Sequence, residues 1–472
     1  MIAVAAPSKR HHSAALVVAM ALLVGAGTIQ ELCLLAGRPG LGVAVVLPSL
    51  VAVAWLWRPG PAVLALVSVT LGLELVLPLH TGGGRYQDWL LHYELALHYA
   101  GLPGHVQPGY LVTRTPLFHQ LLAAFLAHAP AFWVFQLGAV LLNSLWLWPA
   151  TLLIRRQAAD RAPLRLLAVG LTPVILAYST YTWPWNFAAF FLLSALWLTD
   201  EPGTMAQVGV GLGLAAALLA HPGTLGYVAG LGAWWLYRRR RGLSAGIAAA
   251  VIAIGTSLPW VFAVTGGRGP AGLVSQSLPA SQGRVSLPLW AISRVLVVAH
   301  TFLPQPGLPA DRAWVNLLLV FLVLSLPGAL ITLVVAGRLP PPSAAVRLAI
   351  IAGAAVNLAL FPADAYSAGM LNVLYIGIMM YLVVTVGALD EAHVRRLLVM
   401  GAALSVVLAA ALLWLSIAPV AGDGNAGLRD SFGTIFFIQR WGLLPGSLVL
   451  TLALGLGIRQ LQLSRPRAPG TA

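Results

Sequence analysis

TMAQVGVGLGLAAALLAHPGTLGYVAGLGAWWLYRRRRG, residues 204–242, contains two apolar runs, 204 to 220 and 223 to 237, separated only by His221 and Pro222 and closed by four arginines. About 20 apolar residues cross a bilayer core, so two such runs joined by a two-residue break read as an antiparallel pair of spans. Arg238 to Arg241 then read as an orientation anchor on the cytoplasmic side, since short cytoplasmic loops collect arginine and lysine.

The same pattern extends along the chain. Apolar stretches fall at 14 to 36, 41 to 57, 61 to 79, 130 to 154, 164 to 183, 186 to 199, 204 to 220, 223 to 237, 243 to 265, 313 to 336, 345 to 361, 368 to 388, 397 to 420 and 441 to 461. The expectation is an all-α polytopic membrane protein of about 14 transmembrane helices (range 11 to 14), one integral domain over 1–472. Composition agrees: 59% of residues are hydrophobic and 8% charged. Soluble domains carry about 25% charged residues, which excludes an ordinary soluble enzyme. Net charge is +14, but nearly every basic residue is arginine, and coding bias explains that better than a nucleic-acid surface. Cys33 is the single cysteine, so no intrachain disulfide framework exists. The first apolar run continues to about Ala36 across Gln30 and Glu31 without a small-residue cleavage site, so it reads as a retained helix.

With the N-terminus and C-terminus placed in the cytoplasm, 18 of the 27 basic residues fall inside, crowded into short loops. The exterior then holds two substantial loops, 80–129 and 266–312, with a smaller one at 421–440.

The first external loop, HTGGGRYQDWLLHYELALHYAGLPGHVQPGYLVTRTPLFHQLLAAFLAHAP, holds six of the eleven histidines. Residues 85 to 100 read as a helix on which Arg85, Asp88, His92 and Tyr99 share one face. Gln87, Glu94 and His98 form a second polar stripe, while Trp89, Tyr93, Leu97 and Ala100 form an apolar one suited to a membrane surface. Thr115 as N-cap and Pro116 in the first turn announce a second helix to about His128. Two interfacial helices are therefore expected. An aromatic belt explains Trp89, Tyr93, His98 and His128, yet gives no reason for Asp88 and Arg85 to share a face beside a glycine-rich turn.

The stretches RYQDWLLHYELALHY and RTPLFHQLLAAF resemble the first external loop of the GT-C superfamily of membrane glycosyltransferases, whose members include protein O-mannosyltransferases and bacterial lipid A aminoarabinose transferases. GLAAALLAHPGTLGYVAGLGAWWLYRRRRG and LPWVFAVTGG extend the resemblance to about residues 61 to 312. It implies an inverting transfer of a sugar from a polyprenyl-phosphate donor to an acceptor hydroxyl at the extracytoplasmic face of a bacterial inner membrane. The acceptor class, whether glycan, lipid or protein, stays open. Trp89 follows Asp88 where several relatives carry a second acid, and the histidine spacings match no standard ligand set, so no metal or other cofactor is indicated.

Such a transfer needs a base for the acceptor's proton and cations for the departing phosphate. Asp88 is the candidate base, with His92 to orient it and Glu94 in reserve. Arg85, Tyr99 and Arg114 are candidate donor contacts in the first loop. Arg284, Arg294 and His300 are candidates in the second, where Arg268 and Arg312 add to a cationic excess. Glu31 and Glu74 lie in the outer parts of their spans and are either functional or partners of Arg38 or Arg85. Asn143, Asn186, Asn357 and Asn372 read as interhelical hydrogen bonders. Two other readings stay open: a transporter or flippase of lipid-linked saccharides lined by Glu31, Glu74 and Asp364, and a polysaccharide polymerase or ligase.

Overall fold

The computed structural model describes residues 9–76, 88–104, 106, 111, 114–180, 183–238, 241–270, 313–360, 369–417 and 443–463. Among them every regular element is a helix: α1 Lys9–Leu35, α2 Pro39–Trp57, α3 Pro61–Val76, α4 Asp88–Tyr99, α5 Leu117–Leu126, α6 Phe132–Asn143, α7 Leu147–Gln157, α8 Ala162–Gly170, α9 Pro173–Ser179, α10 Trp185–Thr199, α11 Thr204–Ala220, α12 Leu225–Arg238, α13 Leu243–Gly255, α14 Leu258–Val264, α15 Ala313–Val335, α16 Ala344–Leu360, α17 Gly369–Ala388, α18 Glu391–Ile417 and α19 Leu443–Leu463. Each of the fourteen apolar stretches carries helix. By length and composition, five described helices can cross a bilayer: His11–Leu35, Pro39–Trp57, Phe132–Gln157, Leu243–Val264 and Glu391–Ala410. The bent pair α8 and α9 makes a sixth if it is one span. α3, α5, α10 and α11 are apolar helices of 10–17 residues, short of the roughly 20 that a crossing takes.

Breaks within the apolar runs have local causes. α8 and α9 meet at 73° because Pro173 opens α9 and forces Thr172 out of the helical region, to φ −70, ψ 140. The carbonyl of Leu171, freed at the bend, accepts from the Ser405 hydroxyl of α18 at 2.8 Å. Between α6 and α7 the chain tightens into a 3-10 turn at Ser144–Trp146 without leaving its course.

α10 is apolar on every side and every one of its residues is buried, so it is the central pillar of the bundle. Asn143 of α6 fastens its start, donating to the Trp183 carbonyl (2.9 Å) and accepting from the Phe187 amide (3.0 Å). Arg156 of α7 fastens its end, reaching Asp200 (3.0 Å), Glu201 (2.6 Å) and the Trp197 carbonyl (2.9 Å). The Tyr375 hydroxyl donates to Asn186, which itself donates to Ser179, and Asn357 of α16 donates to the Gly223 carbonyl. Asn143, Asn186 and Asn357 thus bond across elements; the Asn372 side chain lies outside the described residues.

Glu31 and Glu74 each accept from a side-chain amide. Gln120 donates to the Glu31 carboxylate (2.9 Å), and Gln136 donates to the Glu74 backbone carbonyl (3.1 Å) and carboxylate (3.4 Å). Both positions are almost sealed from solvent, at 4% and 1% exposure, where a buried carboxyl group needs hydrogen-bond partners. Arg85 and Asp364 lie outside the described residues.

The opposite end gathers the ion pairs. There Arg161 and Arg395 both engage Glu391, and Arg165 donates to the Leu389 carbonyl at 2.6 Å. The bundle therefore has an arginine-rich end and a first-loop end.

Candidate functional site

The site at the first-loop end is built from α4, α5 and the α11–α12 junction. α4 begins at Asp88 and closes through Gly101, whose φ of +72 suits glycine and whose missing side chain leaves room for the Pro39 ring. Gln30 of α1 donates to the Tyr99 carbonyl at 2.6 Å, holding the end of α4 against α1. Tyr93 reaches from α4 to the Pro130 carbonyl (2.9 Å) and packs edge-on against Phe132 and Phe135.

α5 begins at Leu117, with Pro116 in the cap position, and ends at Leu126. Thr115 does not cap it, and its hydroxyl is buried without a hydrogen-bond partner. The helix is not interfacial as expected: nine of its ten residues are buried, because α1, α2, α4, α6 and α11 pack around it. Its apolar residues, Leu117, Phe118, Leu121, Leu122 and Leu126, meet protein rather than lipid. Of α4, Leu91, Leu95, Ala96 and Leu97 are also buried, while Tyr93, Glu94 and His98 are half-buried.

Enclosing α5 brings His92 against His119, within electrostatic reach of Arg114 and His221. His92 Nδ1 and His119 Nε2 lie 2.7 Å apart, one donating to the other, with the rings parallel at 5.0 Å between centroids. His119 is held down to about 3, first by burial and then by the Arg114 cation. His221, from the break between α11 and α12, is also held down to about 3, by burial, Arg114 and His119. It lies against the Trp185 indole at 3.9 Å, and its Nδ1 accepts from the Gly223 amide (3.0 Å), which leaves Nε2 as the protonated nitrogen of the neutral ring. His119 and His221 are therefore neutral at physiological pH, and the guanidinium of Arg114 carries the local charge.

Tyr99 and His92 share the buried face of α4 but serve different neighbours. The Tyr99 phenol, pushed well above its ordinary range by burial and by the Glu31 carboxylate, has Glu31 and the Trp260 indole as neighbours, and its ring meets the His98 imidazole edge-on at 5.3 Å. Glu94 stands half-buried on the other stripe. Asp88 is the first residue of α4, one helical turn before His92, and its side chain lies outside the described residues. Arg85, Arg284, Arg294 and His300 lie outside them too, as does the second loop beyond Pro270.

His119 and His221 were not singled out in the sequence. The signal for His119 was its place within RTPLFHQ, five residues after Arg114; for His221 it was a histidine in the two-residue break between spans. Among the described residues, no three histidine, cysteine or acidic side chains group to hold a metal ion.

No family model matches the chain, and no curated protein matches it. Two solved structures are similar to it. One is ArnT from Cupriavidus metallidurans bound to undecaprenyl phosphate, at TM-score 0.49 and 16% identity, covering 85% of this chain and 71% of that one. The other is ArnT from the same organism in the apo state, at TM-score 0.47 and 15% identity, covering 84% and 70%. Identity this low leaves the chemistry to be read from this chain's own side chains.

Proposed function

We propose that the chain is an inverting glycosyltransferase that moves a sugar from a polyprenyl-phosphate donor to an acceptor hydroxyl at the first-loop end of the bundle. The observation that carries this reading is the His92–His119 pair, 2.7 Å apart and one turn after Asp88, with the Arg114 cation near enough to act on both His119 and His221. A guanidinium beside neutral imidazoles and the amide-bearing first turn of a helix suits a phosphate, since charge-assisted N–H donors bind it and the helix dipole adds to them. The imidazoles donate hydrogen bonds without adding charge that would trap the product.

In the reaction the acceptor oxygen forms a bond to the anomeric carbon while the bond from that carbon to the phosphate oxygen breaks. Asp88 takes the acceptor's proton, and the polyprenyl phosphate leaves with the bonding electron pair, stabilised by Arg114. His92, one turn after Asp88 and bonded to His119, orients the base relative to the phosphate group. Arg85 and Tyr99 in the first loop, and Arg284, Arg294 and His300 in the second, complete the proposed donor contacts, and Glu94 is the reserve base. In this reading 80–129 is the catalytic loop and 266–312 the second donor loop, both extracytoplasmic in a bacterial inner membrane with the two termini cytoplasmic. The partners are the lipid-linked sugar, the bilayer and an acceptor glycan, lipid or protein.

Pairing of Glu31 with Gln120 and of Glu74 with Gln136 favours this reading over a transporter, whose path would need those carboxylates available to cargo. The test is binding and turnover of a polyprenyl-phosphate sugar by purified protein. Arg114→Ala is expected to weaken donor binding and lower turnover roughly 100-fold or more, the scale of losing one preorganised donor. Unchanged donor binding in that variant overturns the site.

A further inference from the structure

At the arginine-rich end, far from Arg114, a groove of about 700 Å³ opens between α3, α8, α18 and α19. Its floor is hydrocarbon that other helices already bury, Leu66, Leu167 and Ala453 at 4%, 4% and 3% exposure. Its lips, Val399 and Leu454, are 68% and 64% exposed. Arg395 is the single charged residue among those lining it. From Arg395 to Ala402 on α18, and from Gly457 back to Leu450 on α19, the walls run seven residues, about 10 Å of helix. The groove therefore passes from the charged rim into hydrocarbon depth.

Charge at the rim is unbalanced. Glu391 accepts from Arg395 Nε (3.0 Å) and Nη2 (2.7 Å) and also pairs with Arg161, so two guanidiniums share one carboxylate. Arg396, the next residue of α18, is exposed beside them. A lipid has both the tail for the apolar floor and the charge for the rim. The volume equals about two dozen groups of water or methylene size, at roughly 30 Å³ each, which is most of one phospholipid's hydrocarbon.

We propose that this groove holds one anionic phospholipid of the leaflet at the arginine-rich end, its acyl chains on Leu66, Leu167 and Ala453 and its phosphate on Arg395. The proposal does not rest on the sugar-transfer reading, and its test measures lipid rather than turnover.

The test is native mass spectrometry of the full chain from nanodiscs of equal phosphatidylglycerol and phosphatidylethanolamine, released into mild detergent. The expected result is one retained phosphatidylglycerol. Filling the groove from either wall, by Ala402→Leu or Ala453→Leu, displaces it. Arg395→Gln lowers the preference for phosphatidylglycerol about fivefold, the effect of one arginine near a lipid surface. Glu391→Gln breaks the same ion pair but leaves the rim more positive, so it raises the preference, which a merely structural role for the pair does not. Retention of both headgroups alike, of a lipid in a folded groove-filled variant, or of no lipid at all overturns the proposal. If neither filled variant folds, the opposite shifts from Arg395→Gln and Glu391→Gln decide alone.

Discussion

The roles proposed for Asp88, His92 and His119 separate by substitution. On the proposed mechanism Asp88→Asn keeps size and removes basicity, so turnover falls about 100-fold or more while donor binding holds. If Glu94→Gln abolishes transfer instead, the base is Glu94. The imidazoles also make a statement about acid. An unfolded histidine takes up its proton near pH 6.5, whereas His119 and His221 refuse theirs down to about 3. Between those values the unfolded chain binds protons that the folded chain does not, so stability falls as pH falls through that window and is unaffected above it. His119→Asn removes one of the two groups. The apparent melting temperature in detergent is expected to decline less steeply from pH 7 to pH 4.5 than in the wild type; an unchanged slope shows that His119 titrates normally.

Between elements, small residues set how near helices approach, because lipid-facing helices gain their contacts by close packing rather than by exclusion of water. Gly211 of α11 meets the backbone of Gly246 on α13, where an added Cβ runs into the Gly246 carbonyl. Gly232 of α12 is the contrast, since its Cβ finds only Leu214 at 3.7 Å. Gly211→Ala is expected to destabilise the bundle by about 1–3 kcal/mol, the usual effect of overpacking, and Gly232→Ala to leave the midpoint of unfolding nearly unchanged. The helices themselves were legible, since period and apolar length need only the local chain. The 73° bend was less so: Pro173 marks a break, but the Leu171 carbonyl it frees finds its donor only in the Ser405 hydroxyl, 234 residues away in sequence. The same limit applied to α5. Its sequence fits a surface helix as well as an enclosed one, and only the packing of α1, α2 and α11 distinguishes them. The candidate site was half legible for that reason. Arg114 stood out by its motif, whereas His119 and His221 acquire meaning only when enclosure brings a residue from the first loop beside one from the α11–α12 break.

For the whole molecule, the two ends carry different kinds of polar group. At one end arginines pair with carboxylates: Arg156 with Asp200 and Glu201, and Arg161 and Arg395 with Glu391. At the other, carboxylates pair with amides and histidines with one another. On the proposed orientation, insertion explains the first pattern, since arginines held back in the cytoplasm fix orientation and their acids follow as partners. The orientation that follows can be checked in a Cys33→Ser background. Gly104→Cys lies just past α4 at an exposed position, and Arg240→Cys lies in the arginine run. A membrane-impermeant thiol reagent added to intact cells is expected to label position 104 and not position 240, with both labelled after lysis. The reverse pattern places the imidazoles in the cytoplasm. A site that takes sugar from a lipid-linked donor on the outer face then cannot be this one, and a cytosolic sugar donor becomes the substrate to assay.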